Sequence, residues 1–398
     1  MERVIEKHKI VQFVGLLLLM EGFFMPTMIP KSYLNAVCMA TNIYLLYLFG
    51  TCVGRELGYM RKVHYVLFPV LLSFITALSF HGQSIFLTSL VAYKWLGILI
   101  CVFLWKYKFS SKEVYWGLTI FSFLWFVCYI ISVVVYPSVL FANPYATSAD
   151  FLDSYRGWYR IFIGGTFLLY FLLYWNVGKY SVTPKNVYLF LIFFYFIAIV
   201  TTLSRQHIIL NFVMLMLIFL KDLSWRRKIF ISIIVGVVMV YYVPKTEIYQ
   251  NFVEITEMQY DRTDGGETDV RVEAYDYYLK YNKNNIGQSL FGNGFFHSES
   301  AYGKEIMNIQ RNKQYILADV GGAYFYFHFG LIGCLFFVGL FIKLLTYKTS
   351  KDTKFIKYYL VSCLLGTIFS NQLNNSMECL SIVIFLLYLD ERKKVLVV

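Results

Sequence analysis

The stretch Val187-Tyr-Leu-Phe-Leu-Ile-Phe-Phe-Tyr-Phe-Ile-Ala-Ile-Val-Thr-Thr-Leu203 carries no charge and is apolar on every face. A membrane β-barrel strand alternates apolar and polar residues over about 10 positions. A helix on the surface of a soluble protein keeps one polar face. This stretch does neither, so it reads as a helix surrounded by apolar material. The composition extends that reading to the whole chain: 58% hydrophobic, 20% aromatic and 15% charged residues, with a mean hydropathy of +0.57. Soluble domains lie nearer about 45–50% apolar and about 25% charged. The fold class is therefore an all-α polytopic membrane protein.

Segments long enough to cross a bilayer recur on both sides of 187–203. A helical span needs roughly 20 predominantly apolar residues. The pattern predicts twelve spans, at 10–29, 33–54, 64–81, 85–105, 114–135, 161–177, 186–203, 207–220, 229–243, 319–342, 358–371 and 378–389. The first is too long for a signal-peptide core, and Ile29-Pro30-Lys31 offers no small-residue cleavage site, so it reads as retained. The chain then divides into residues 1–243 with nine spans, a polar segment 244–318, and residues 319–398 with three spans and a tail.

Lys and Arg set the orientation. With the N-terminus in the cytoplasm, the inward segments hold 23 of the 36 basic residues. The short outward connections hold only Lys31, Arg156, Arg160 and Arg205. The positive-inside rule therefore places both termini in the cytoplasm and the 244–318 segment outside. The net charge of +12 is topogenic and calls for no nucleic acid; it suits an anionic inner leaflet. The outer segment itself has eight basic and eleven acidic residues, so it is no trap for a polyanion. All seven cysteines fall in or at the ends of spans, no metal-ligand spacing appears, and no Walker motif is present. The reading expects no disulfide framework, no metal and no cofactor.

Charges outside, against the positive-inside bias, mark the candidate site. Arg156 and Arg160 lie four apart at the start of a span, among Tyr155, Trp158 and Tyr159. They are either anion contacts or interfacial anchors. Arg205 occupies the tight turn 201–207, followed by His207. A guanidinium there pairs bidentately with phosphate, or snorkels. In the long segment, Asp264-Gly-Gly266 makes a turn and Asp269 can cap a helix from Val270 to about Tyr281. Val270, Ala274, Tyr278 and Tyr281 form its packing stripe. Arg271 sits in its first turn, where the helix dipole favours a partner anion. Gly292-Asn-Gly294 is a turn that lets backbone approach something closely. Asp319 re-enters the apolar region with no basic residue within five positions, a placement that suits a general base or a helix N-cap. Two charges fall within spans, Glu21 and Lys94, at matching depths; the cost of burial predicts a structural ion pair. Asn371, Gln372, Asn374, Asn375 and Glu378 make the last outward hairpin, either a sugar-accepting lining or a solvated turn.

Twelve spans, the boundary pair Ser204-Arg205, the late outer segment with Arg271-x3-Tyr275, Gly292-Asn-Gly294, and a span carrying Gly330-Leu-Ile-Gly333 resemble the O-antigen polymerase and ligase superfamily. The resemblance is clearest over residues 201–335. It implies a bundle like the GT-C glycosyltransferases in the bacterial plasma membrane, making O-antigen or capsule. The implied partners are undecaprenyl-diphosphate-linked oligosaccharides, membrane lipids and a chain-length regulator. Arg205 and Arg271 fall where the family places diphosphate-contacting arginines, with Arg156, Arg160, His207, Gly292 and Gly294 around the glycan. Ligase-type members tend to open the Gly-Leu-Ile-Gly span with His-Asn or His-Ser. This chain has Asp319-Val320, which favours a repeat-unit polymerase over a ligase that transfers glycan to a lipid acceptor. A lipid-linked oligosaccharide flippase or secondary transporter is the alternative from a different class; such proteins favour midplane polar sites and repeat symmetry, and no internal repeat is legible here.

Overall fold

The computed structural model of the chain describes residues 6–52, 58–135, 138, 140–141, 163–202, 204–221, 225, 229, 241, 243–245, 250, 253, 270–282 and 285–395. The described residues form fifteen α-helices joined by short 3₁₀ turns, with no strand beyond an isolated bridge between Pro26 and Phe141. The helices are α1 (Lys7–Met20), α2 (Lys31–Cys52), α3 (His64–His81), α4 (Ile85–Ala92), α5 (Ile100–Lys106), α6 (Ser111–Val134), α7 (Thr166–Val182), α8 (Asn186–Thr201) and α9 (Arg205–Lys221). Within the polar segment lie α10 (Val270–Tyr281), α11 (Ile286–Phe291) and α12 (Ala301–Lys313), and after it come α13 (Gly321–Thr346), α14 (Phe355–Phe369) and α15 (Met377–Val395). Helix lies under eleven of the twelve predicted spans. The expected span at 229–243 lies almost wholly outside the described residues.

Five helical stretches are long and apolar enough to cross a membrane: Lys31–Cys52, Gly58–His81, Ile85–Lys106, Ser111–Val134 and Gly321–Thr346. The distribution of side chains agrees. Phe190, Phe193, Leu71, Phe123 and Leu335 are exposed, whereas Asn42, Asn176, Asn211 and His328 are buried. Two of these buried amides are bonded across helices: Tyr115 donates to Asn176 (2.8 Å) and Tyr174 to Asn211 (2.8 Å). Apolar groups outside and paired polar groups inside describe a protein dissolved in hydrocarbon. The chain is a membrane-embedded helical protein.

Many of the basic helix ends gather on one face. Lys9 donates to the Lys108 carbonyl (3.4 Å) and Lys106 to Thr51 (3.3 Å), while Tyr59, next to Arg61 and Lys62, donates to the Lys343 carbonyl (3.0 Å). The opposite face carries the 3₁₀ turn after α1, the α3–α4 turn, the starts of α7 and α9, and everything from α10 to the start of α13.

Three predicted spans are not continuous helices, and one of them, 319–342, breaks at Gly330 within α13. The expected 10–29 span stops at Met20, and Gly22, Phe23, Phe24 and Met25 all take left-handed φ angles of 52–63°. Each non-glycine residue in that conformation costs about 1–2 kcal/mol, so this turn is held by its packing: Phe24 and Met25 are buried. The expected 85–105 span is broken by the 3₁₀ segment Tyr93–Leu99, which carries Lys94 and the fully enclosed Trp95. Trp95 meets Phe295, Phe325, Phe329 and Phe337 at ring-centroid distances of 5.0–6.0 Å. That aromatic knot ties the polar segment to the bundle, and each such pair adds about 0.5–1.5 kcal/mol beyond area burial.

Candidate functional site

From Val270 onward the described part of the polar segment is a built cap. The helix expected from Val270 to Tyr281 is α10, with those bounds. Ala274 and Tyr278 are buried and Tyr281 half-buried, while Val270, the fourth member of the expected stripe, is 36% exposed. A second apolar cluster forms beneath α10 from Ala274, Tyr278, Tyr302, Ile306, Leu317, Val320, Ala323 and Phe327. Gln83, in the α3–α4 turn, pins the far side. Its amide donates to the Phe295 carbonyl (2.7 Å) and to Thr88 (2.8 Å), and its oxygen accepts from the His297 amide (2.9 Å) and Ser300 (2.7 Å).

The two glycine motifs meet in one joint. Gly330 interrupts α13 with φ 62° and ψ −168°, so the carbonyls just before it lose their helical partners. The Gly292–Gly294 turn supplies replacements: Asn293 N donates to Phe327 O (2.8 Å) and Gly294 N to His328 O (3.0 Å). A Cβ on Gly292 would fall 2.3 Å from the His328 carbonyl oxygen, and one on Gly294 would fall 2.2 Å from that of Ser73. Close approach was the expectation for this turn. On these faces Gly292 and Gly294 approach the protein's own backbone.

Arg271 is exposed in the first turn of α10, and Asp319 is half-buried in the 3₁₀ turn Leu317–Asp319. α10 packs against that turn and against the start of α13. Tyr275, one helical turn after Arg271, bonds the Ile368 carbonyl and accepts from the Gly322 amide (3.1 Å). The Asn371 amide donates to the Ala318 carbonyl (3.0 Å). Thus Arg271, Asp319 and the 370–376 hairpin share one rim. Asp319 does not cap α13: Val320 is the N-cap residue and no side chain caps it. Arg205 opens α9 on the same face, by its backbone position. Arg156 and Arg160 lie outside the described residues.

Below the rim residues in the chain's outer half, Glu21, Lys94 and Glu378 lie within electrostatic reach of one another. Glu378 was expected in the outer hairpin, because its position only one residue into α15 reads as a boundary. The Glu21 carboxylate lies over Gly164, where a Cβ would fall 2.3 Å from Oε2; Glu378 lies over Gly97, at 2.7 Å from Oε1. All three charged residues keep part of their surface accessible. They come from the end of α1, the 3₁₀ break of the fourth span and the start of α15: interrupted helices, as polar sites within membranes require.

His207, also singled out from the sequence, is 7% exposed in the first turn of α9. Its ring packs on Phe167 (5.6 Å) and Tyr170 (5.3 Å), and its Nδ1 has no hydrogen-bond partner among the described residues. Cys379, next to Glu378, donates to the Phe167 carbonyl (3.4 Å), which brings the His207 side of the bundle to the triad. No group of three His, Cys, Asp or Glu side chains among the described residues has metal-holding geometry. All seven cysteines are free.

No protein-family model matches the chain, and no curated protein matches it.

Proposed function

We propose that this protein is a surface-polysaccharide polymerase of the plasma membrane, a twelve-span, GT-C-like glycosyltransferase with both termini cytoplasmic. It joins undecaprenyl-diphosphate-linked oligosaccharide repeats at the outer face. A sugar hydroxyl of one repeat attacks the anomeric carbon of another; the new glycosidic bond forms as the bond to the diphosphate breaks. The leaving diphosphate takes the electron pair, and fixed guanidiniums stabilise its charge. Arg271 is the principal candidate, with Arg205 behind it; Asp319 is the rim's own candidate for the acceptor proton. The donor is already activated and lipid-linked, so neither ATP nor a sugar nucleotide is needed.

The observation that carries this reading is the cap. A segment after the ninth predicted span folds back on one end of the bundle and sets Arg271 on a helix packed against the turn bearing Asp319. A cap at one end of the bundle suits a lipid-linked donor, whose chain stays in the bilayer while its headgroup lies at the outer face. A transporter is the second reading, favoured by the Glu21–Lys94–Glu378 triad at interrupted helices.

The test is complementation of a deletion strain, with surface glycan separated on a gel. The wild-type chain should restore a ladder, and Arg271→Ala should leave single-repeat caps at normal protein level. A normal ladder from Arg271→Ala would refute the polymerase mechanism. Loss of all cap material in the deletion strain would point to a ligase or a flippase.

A further inference from the structure

Along one seam of the bundle α8 packs beside α6. Ser122 and Tyr195 share a buried hydrogen bond (2.9 Å), and Phe126 meets Phe194 at a ring-centroid distance of 4.0 Å. Phe194 in turn stacks on Phe190 (6.2 Å), which is 67% exposed and lies one turn nearer the face where the basic helix ends gather. On that face the seam meets α7. The ammonium of Lys179 lies 3.7 Å from the ring centroid of Tyr115 in α6 and 5.5 Å from that of Tyr188 in α8. Lys112 stands three residues before Tyr115, and Lys185 three before Tyr188, the spacing of helix neighbours. Three basic residues therefore cluster where the apolar seam ends.

Lys179 does not snorkel. A snorkelling ammonium runs out to water; this one turns back over Tyr115, a residue only 5% exposed. Among the described residues it makes no ion pair. Other lysines of the same face are matched: Lys9 pairs with Glu6 (3.1 Å) and Lys394 with Asp390 (2.8 Å). Glu113, the acid beside Lys112 in sequence, is committed to a helix cap. Its Oε2 accepts from the Ser110 amide (2.7 Å) and hydroxyl (2.9 Å), and its Oε1 from the Glu6 amide (3.1 Å). The charged groups that act on Lys179 are Lys112, of like sign, and Asp352, exposed in the 3₁₀ turn Lys351–Thr353. Positive charge is thus gathered at this point without a carboxylate in contact with Lys179 among the described residues. The place also narrows the ligand. Trp116, next to Tyr115, is exposed, as tryptophans at a membrane interface are. Cations between the polar ends of spans, with exposed aromatic rings leading away from them, match an anionic headgroup joined to an acyl chain.

We infer that the α6–α8 seam holds one anionic phospholipid, its phosphate against Lys179 with Lys112 and Lys185 on either side, and its acyl chain along Phe190 and Phe194. The inference needs only that the chain is embedded in a membrane, and it stands apart from the glycosyl-transfer reading. A phosphate held there meets residues of α6, α7 and α8 at once, so the lipid clamps the three helices together at their basic ends.

The experiment titrates the purified full chain in detergent with phosphatidylglycerol or with phosphatidylcholine of the same acyl chains, and counts retained lipid by native mass spectrometry. Phosphatidylglycerol should be retained in preference. Lys179→Gln should weaken that retention about fivefold, the contribution of one basic residue at an anionic membrane surface, and Lys179→Arg should keep most of it. Lys343→Gln, which removes an exposed charge of the same face on α13, should leave retention unchanged. Lys185→Gln, altered at an exposed turn residue, carries the same expectation as Lys179→Gln and replaces it if that variant does not fold. Equal retention of the two lipids by the unaltered protein would overturn the inference. So would a folded Lys179→Gln protein that retains phosphatidylglycerol as the wild type does, or equal weakening by Lys179→Gln and Lys343→Gln, the mark of diffuse surface charge. Displacement of the lipid by inorganic phosphate would assign the lysines to a free anion and overturn the lipid assignment.

Discussion

Replacing Gly294 with alanine tests the joint on which the cap depends. Gly294 has φ +72°, and its Cβ would lie 2.2 Å from Ser73 O, 2.7 Å from Ala77 N and 2.8 Å from Ala77 Cβ. Two of those atoms are backbone of α3, which cannot swing aside as a side-chain tip can. The left-handed conformation costs an alanine about 1–2 kcal/mol, and overpacking adds about 1–3 kcal/mol. Parting the elements also stretches Gly294 N to His328 O (3.0 Å) and the His328 Nδ1 contact with Gly294 O (2.8 Å). At about 1 kcal/mol for such a bond, the total reaches roughly 3–6 kcal/mol. The control is Gly15→Ala in α1, where nothing lies within 4 Å of the added methyl. Alanine in a helix interior is favoured there by about 0.5–1 kcal/mol. The assay is heating in detergent followed by fluorescence-detected size exclusion, comparing midpoints. Gly294→Ala should melt well below wild type and Gly15→Ala at or slightly above it. A Gly294→Ala protein with the wild-type midpoint but no activity would refute the packing argument and return this turn to the ligand.

Other outcomes follow from the same geometry. Gln83→Ala removes four hydrogen bonds that hold Phe295, His297, Ser300 and Thr88; it should lower stability by about 2–4 kcal/mol and speed proteolysis within 285–313 before the helices of the bundle are cut. Arg271→Ala, at an exposed position, should change stability by no more than about 0.5 kcal/mol, so any loss of polymerisation is functional; an equal fall in melting midpoint would argue otherwise. Burial alone would raise the Asp390 carboxyl, but its bonds to Lys394 (2.8 Å) and the Ser350 amide (3.3 Å) hold it below the ordinary carboxylate range. A depressed carboxyl contributes stability above its unfolded value and loses it as pH falls through the folded one. Asp390→Asn should therefore be less stable than wild type at neutral pH and converge with it in acid, seen as midpoints measured from pH 7 down to 3.

The apolar pattern revealed where helices run because lipid-facing positions need no polar alternation, and the 187–203 stretch lies in α8, which ends at Thr201. It did not reveal where helices break. Phe23, Phe24 and Met25 carry no turn chemistry, and the left-handed geometry there goes with packing of Phe24 on Phe121 and of Met25 with Leu34 and Cys38. The 3₁₀ break around Lys94 is likewise invisible in Tyr93-Lys-Trp-Leu-Gly-Ile-Leu99, apart from the charge itself. The α10 helix was legible because Ala274, Tyr278 and Tyr281 recur at helical spacing; the expected cap Asp269 and turn Asp264–Gly266 lie outside the described residues. Glu378 was missed because it reads as the end of the outer hairpin, whereas it is the second residue of α15 and its carboxylate lies over Gly97. The two glycine motifs were legible as places of close approach, but a sequence cannot say that each is the other's partner.

The most direct measurement is product length from the purified full chain in proteoliposomes supplied only with undecaprenyl-diphosphate-linked repeats. The account predicts a ladder of products from the wild-type protein and single repeats alone from Arg271→Ala. A wild-type protein that produces no lengthened glycan, or an Arg271→Ala protein that produces the same ladder, would contradict it.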